Sequence, residues 1–311
     1  MILDENIESV YSAGIEMQQV YSYGKLVWEK KPIDYNITPF TVRAVDGGVQ
    51  VWLGKINPNN GNTEHINIKY SINGGNWVNT TSKTIIKLNR NDRVSIISTD
   101  ADFCTVRGDS RWEGMEEIRA LSDISGNIMS LIYGDDFIGQ TVWTQRNHFY
   151  GSGFFSHSDI RNAKNLILPA TTLSKGAYQY MFAQCPFLLS APELPATTLV
   201  EGCYVGMFYS CINLTKAPDL PAPILVKGCY GGMLAQCYSL KYVKCYATGF
   251  ETDSIDKVIT YYDDENKVWV ESEKWLSGIE TSGTLVCKQV DGGKNPLEDY
   301  IPDNWTVEYF T

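Results

Sequence analysis

The sequence predicts a mainly β protein with short helices: an N-terminal ribbon, a β-sandwich, a solenoid of 26-residue coils and a C-terminal cap. Three observations predict it. A hexapeptide recurs at a fixed interval in the second half of the 311 residues. Short alternating apolar and polar runs, punctuated by Gly and Asn, fill the first half. A ten-residue near-duplication opens the chain. The four parts are placed at 1–33, 34–127, 128–250 and 251–311.

The ribbon rests on the duplication. Val10-Tyr11-Ser12-Ala13-Gly14 is echoed by Val20-Tyr21-Ser22-Tyr23-Gly24, followed by Lys25-Leu26-Val27-Trp28-Glu29. Two hairpin-like units of this size cannot bury a core alone. Tyr11, Tyr21, Leu26, Val27 and Trp28 would form an apolar stripe, and such stripes mark interfaces. An open strand edge adds a place for another chain to pair. The expectation is an anchor or oligomer contact.

Residues 37–53 and 63–99 carry the alternation of half-buried strands, as in Ile66-Asn67-Ile68-Lys69-Tyr70-Ser71-Ile72 and Arg93-Val94-Ser95-Ile96-Ile97. Turn signals separate them: Asp46-Gly47-Gly48, Pro58-Asn59-Asn60-Gly61 and Asn73-Gly74-Gly75. Short strands at this spacing without helical periodicity indicate an Ig-like β-sandwich. Ile118 to Ile132 reads as a bridge to the solenoid.

Leu168-Pro169-Ala170-Thr171-Thr172-Leu173 returns unchanged as Leu194-Pro195-Ala196-Thr197-Thr198-Leu199, and altered as Leu220-Pro221-Ala222-Pro223-Ile224-Leu225. The same interval aligns Gly176, Gly202 and Gly228; Tyr178, Tyr204 and Tyr230; Met181, Met207 and Met233; and Cys185, Cys211 and Cys237. A fixed period of this length marks a repeat array. Tyr178, Met181, Phe182 and Cys185 lie three, four and seven apart, which predicts one face of a short helix. Prolines then force extended chain, predicting parallel strands near 188–193, 214–219 and 240–245. Stacked coils place like residues in ladders about 4.8 Å apart. Terminal coils are expected to differ because they cap the exposed core.

Composition narrows the function. Twenty-six basic against thirty-six acidic residues give a formal charge of −10. That disfavours nucleic acid, which needs clustered Lys and Arg, and anionic membranes. No stretch approaches 18 apolar residues, so no membrane insertion is expected. Acids stand in the first eight residues where a signal peptide carries bases, so export through its own signal is not expected. The three histidines leave little imidazole chemistry.

The 26-residue units resemble BspA-like leucine-rich repeats, found in surface proteins of gut Bacteroidales and in phages that infect them, including crAss-like phages. The run Trp275-Leu276-Ser277-Gly278, Ser282-Gly283-Thr284-Leu285-Val286 and Ile301-Pro302-Asp303-Asn304-Trp305-Thr306-Val307 looks like the module that closes such arrays. Val20 to Trp28 is similar to short segments that tether a fibre or adhesin to a virion. The third repeat departs from the pattern with Pro223-Ile224 and Leu234, as expected near a cap. The resemblance implies a non-enzymatic attachment protein.

Chemical motifs add little to oppose this. Eight cysteines lack the tight pairs of a zinc site, so they read as buried thiols with no metal and no cofactor. Asp135-Asp136 and Asp263-Asp264-Glu265 fit solvated loops better than glycosidase or calcium carboxylates. Gly151-Ser152-Gly153 lacks the rest of a nucleotide loop, and no G-x-S-x-G occurs. No catalytic residue is assigned. Trp77, Trp112, Trp143 and Trp269, set among Gly, Asn and Asp, are the candidates for surface recognition, with Trp275 in a similar setting. Aromatic platforms beside polar amides suit sugars and also suit small cores.

The leading expectation is a bacteriophage virion attachment protein, a head or tail fibre or decoration made in the host cytoplasm. Its partners would be a capsid or tail protein at the N-terminus and a bacterial surface glycan or protein. Self-association is expected, as a trimer in preference to a dimer. The alternatives are a bacterial cell-surface adhesin of the same repeat class and, behind it, a glycan-processing enzyme.

Overall fold

The computed structural model describes 33–53, 67–81, 84–98, 118, 120–143, 154–250, 275–279, 281–290 and 293–310, plus short strands elsewhere. Two compact units emerge, Met1–Asp34 and Tyr35–Thr311. In the first, β1 (Val10–Ser12) pairs antiparallel with β2 (Ile15–Met17). Likewise β3 (Gln19–Ser22) pairs antiparallel with β4 (Lys25–Glu29), with a register shift after Val20. The duplicated sequence thus forms two separate two-stranded ribbons.

The second unit opens with β5 (Phe40–Ala44), β6 (Val49–Leu53), β7 (Lys55–Ile56), β8 (Thr63–Glu64), β9 (Ile68–Ile72), β10 (Val78–Thr80), β11 (Thr84–Leu88), β12 (Arg93–Ser98), β13 (Ser122–Asn127) and β14 (Ile160–Ile167). One sheet has the order β10-β9-β12-β5-β13-β14; β6 and β11 form a second, antiparallel pair, and β7 and β8 a third. Alternation puts Val94 and Ile96 of β12, and Ile86 and Leu88 of β11, into one core with Val42, Val49 and Val51. The turn read at Asn73-Gly74 has φ values of 53° and 71°, the left-handed pair that a tight hairpin needs. Between β13 and β14 the pairing turns parallel, so the sheet continues past residue 128 toward the repeats. Gly126 lets the chain entering β5 pass close to β13. Its φ is +82°, and a Cβ there would lie 2.1 Å from the Pro39 carbonyl oxygen.

In the repeat region the four predicted helix-face residues are buried, yet the chain there is not helical. It forms overlapping β-turns instead. In the second repeat, Cys203, Val205, Met207, Tyr209 and Cys211 donate their amides to Val200, Gly202, Tyr204, Gly206 and Phe208 at 2.9–3.3 Å. The amides between them, of Gly202, Tyr204, Gly206, Phe208 and Ser210, donate to Lys227, Cys229, Gly231, Met233 and Ala235 at 2.8–3.1 Å. Each of those partners lies 25 positions on, so half the amides bond locally and half bond the next repeat. An α-helix would spend nearly all of them within itself. Left-handed residues recur every fourth position: Gly202, Gly206 and Ser210, then Gly228, Gly232 and Gln236, all between 57° and 66°. Repeated left-handed residues are incompatible with an α-helix.

The strands predicted from the prolines are mostly shorter than expected. β15 (Ile224–Leu225), β16 (Tyr242–Cys245) and β17 (Gly249–Phe250) are the named strands between 168 and 250. Elsewhere single parallel bridges join Asn162 to Ser190, Lys216 to Tyr242 and Leu220 to Cys245. Pro192, Pro195, Pro218 and Pro221 have no amide hydrogen, so a continuous ladder is not available there.

After β18 (Thr260–Asp263) and its antiparallel partner β19 (Val268–Glu271) come β20 (Thr284–Lys288) and β21 (Thr306–Phe310). β16, β20 and β21 form a parallel sheet with Val243, Leu285 and Val307 in register. The turn ribbon is also extended here, because Leu234 and Gln236 donate to the carbonyls of Trp275 and Ser277. A 3-10 helix, Pro296–Tyr300, inserts Leu297 into the core. The described residues are mainly β, with no long helix among them. Among the described residues, no helix is long and apolar enough to cross a membrane.

Candidate functional site

The exposed candidate is Trp77, just before edge strand β10, with 42% of its surface accessible. The Lys69 ammonium sits 5.4 Å from its ring centroid and bonds both carboxylate oxygens of Asp135, at 2.5 and 2.7 Å. Trp77 therefore lies beside a paired cation and anion. Such a patch offers an aromatic plate with a donor and an acceptor on its rim.

Trp143 requires a correction. It is 5% exposed and packs against Phe154 and Tyr178, with ring centroids 5.7 and 4.3 Å away. It belongs to the core because its amide bonds the Thr172 carbonyl, drawing the loop onto the repeats. Trp275 is fully buried, its indole N–H donating to the Tyr300 carbonyl at 3.0 Å. Trp112 lies outside the described residues, as does the side chain of Trp269, whose backbone is in β19. Tyr11, Tyr21, Leu26, Val27 and Trp28 fall on the ribbon strands, with their side chains outside the described residues.

A second cluster escaped the sequence reading. On the side of the parallel sheet facing away from Val243 and Cys245, Lys216 sits 5.0 Å from the Tyr242 ring. Lys244 lies 4.8 Å from Tyr246 and 5.1 Å from Phe310, whose rings are 4.8 Å apart. Asp219 is 3.8 Å from Lys244. The Tyr246 hydroxyl, then the charge of Asp219, raise the Lys244 pKa, so it stays a cation. The available signal was Tyr242-x-Lys244-x-Tyr246, alternating with Val243 and Cys245. What it lacked was Phe310, brought in only by the parallel pairing of β20 and β21. Aromatic faces with amine donors form an amphipathic surface for a polar partner.

The thiols have different chemistry. Seven cysteines are buried, with no disulfide among the described residues; Cys104 lies outside them. Cys185, Cys211 and Cys237 direct Sγ at the carbonyls of Phe155, Phe182 and Phe208, at 2.9, 3.0 and 3.1 Å. Burial pushes Cys203, Cys237 and Cys245 up to about 12 and Cys287 up to about 11. A thiol so protonated is a poor nucleophile and metal ligand. Among the described residues, no three potential metal-ligating side chains converge. Partial desolvation lowers the His157 pKa and favours the neutral ring.

Compared with protein-family models, curated proteins and solved structures, the chain matches none.

Proposed function

We propose that the protein is a bacteriophage virion attachment protein, a head or tail fibre or decoration that presents a BspA-like leucine-rich-repeat solenoid to the bacterial surface. The observation that carries this reading is the amide-to-carbonyl bonding between successive 26-residue repeats. It turns a sequence repeat into a stacked array, a form whose regular side-chain columns offer broad surface for binding. The Trp77 patch and the Lys244 cluster supply aromatic and charged contacts to a surface glycan or protein. Buried cysteines without a disulfide among the described residues agree with synthesis in a reducing cytoplasm and release by lysis. That favours a virion protein over a bacterial surface adhesin. The ribbons would hold the chain to a capsid or tail protein or to its own copies.

The test is proteomic. Tryptic peptides of this chain are expected in density-purified phage particles at a fixed ratio to the major capsid protein. Their loss during particle purification, with the chain left in the cleared lysate, would remove the virion reading.

A further inference from the structure

The tyrosine column runs through the interior of the stacked repeats. Tyr178, Tyr204 and Tyr230 are 3%, 0% and 1% exposed. An amphipathic ring can bury its body while its hydroxyl reaches solvent. Instead, the hydroxyls of Tyr178 and Tyr204 are both buried, and neither has a hydrogen-bond partner among the described residues. That of Tyr178 is directed toward the backbone of Ala170 without the geometry of a bond.

Each such hydroxyl costs about 1–3 kcal/mol if nothing satisfies it. Two side by side would consume a large part of a stability of about 5–15 kcal/mol. Buried polar groups without protein partners are as a rule satisfied by ordered water.

The spacing fits one water. The Tyr178 and Tyr204 rings are stacked with centroids 5.6 Å apart and planes 6° from parallel. Near-parallel rings carry their hydroxyls at a similar separation. A water about 3.0 Å from each hydroxyl, with its two bonds opened to roughly 140°, spans that distance. A buried water also needs two to four polar partners, and the two hydroxyls supply two. We propose that the array binds an ordered water in its core, bridging the hydroxyls of Tyr178 and Tyr204 beside Ala170. The site is neutral, because burial favours both phenols in their protonated form, so it suits water better than an ion. The same bridge would link the first repeat to the second and oppose slippage between them.

Tyr-to-Phe substitution keeps the ring stack and removes one end of the bridge. In Tyr204→Phe the folding equilibrium constant is expected to fall about fivefold, as for loss of one satisfied hydrogen bond. Tyr178→Phe is expected to behave alike. The double variant should lose less than the product of the two, because both remove the same bridge. Magnetic relaxation dispersion of water in solutions of the intact chain should show one fewer long-lived buried water in Tyr204→Phe. An unchanged or raised folding constant, or a relaxation signal that survives the substitution undiminished, overturns the proposal.

Discussion

Trp77 and Trp143 carry the same side chain into opposite surroundings, and their variants should separate accordingly. Trp143 is packed between Phe154 and Tyr178, so Trp143→Ala is expected to cost about 3–5 kcal/mol in urea unfolding. Trp77 is exposed and contacts a solvent-facing ion pair, so Trp77→Ala should cost under about 1 kcal/mol. If Trp77 contributes to attachment, its loss should weaken adsorption while leaving the unfolding midpoint in place. Backbone demands are sharper still. At Gly126 a Cβ meets the Pro39 carbonyl from a left-handed backbone, and neither neighbour is a flexible side-chain tip. Gly126→Ala is therefore expected to destabilise by about 3 kcal/mol in the same measurement. A midpoint shift under a third of that would mean that the β5–β13 connection yields easily.

The columns of Tyr, Met, Phe and Cys illustrate what the sequence made legible at the level of elements. Their period and burial were readable because like positions must meet the same interior in every repeat. The helix was not correctly readable. Three-, four- and seven-residue spacings also place side chains on one face of a ribbon of overlapping turns, and nothing local reveals that alternate amides serve the next repeat. Only the recurring Gly at 176, 202 and 228, with Gly206 and Gly232, hinted at left-handed backbone. Trp143 and Phe310 were illegible for a related reason, since their contacts are made across distant stretches of chain. The cysteine columns give this element a pH signature. A thiol with a folded pKa near 12 and an unfolded value of 9.0 stabilises fully below pH 9. That contribution is lost as pH rises toward 12, because the unfolded chain releases the proton first. Each of Cys203, Cys237 and Cys245 should contribute a slope of about 1.4 kcal/mol per pH unit in that window. Urea midpoints recorded from pH 8 to 10.5 should thus fall steeply above 9. Cys203→Ala/Cys237→Ala/Cys245→Ala should flatten that fall, and a curve of equal steepness would assign it to other groups.

Taken whole, the chain is acidic and divides into two compact units. Within Tyr35–Thr311 the β-sheets and the repeats share one hydrophobic cluster. Met1–Asp34 contributes two isolated two-stranded ribbons. Ribbons of that size are marginal alone in water, and their strand edges can be satisfied by pairing with another chain. On the proposed reading the N-terminal unit serves assembly, and the larger unit is expected to fold without it. A chain lacking residues 1–34 is expected to keep its circular dichroism spectrum, with an unfolding free energy within about 0.5 kcal/mol of the parent. Self-association should be lost on the same deletion, read as a fall in mass by light scattering from the trimer expected of the full chain to a monomer. Incorporation into particles, measured by complementing a phage that lacks the gene, should fall to background. A truncated chain that still reached virions at the parental level would move the tether into Tyr35–Thr311. One that unfolded would show instead that the larger unit depends on the ribbons for its stability.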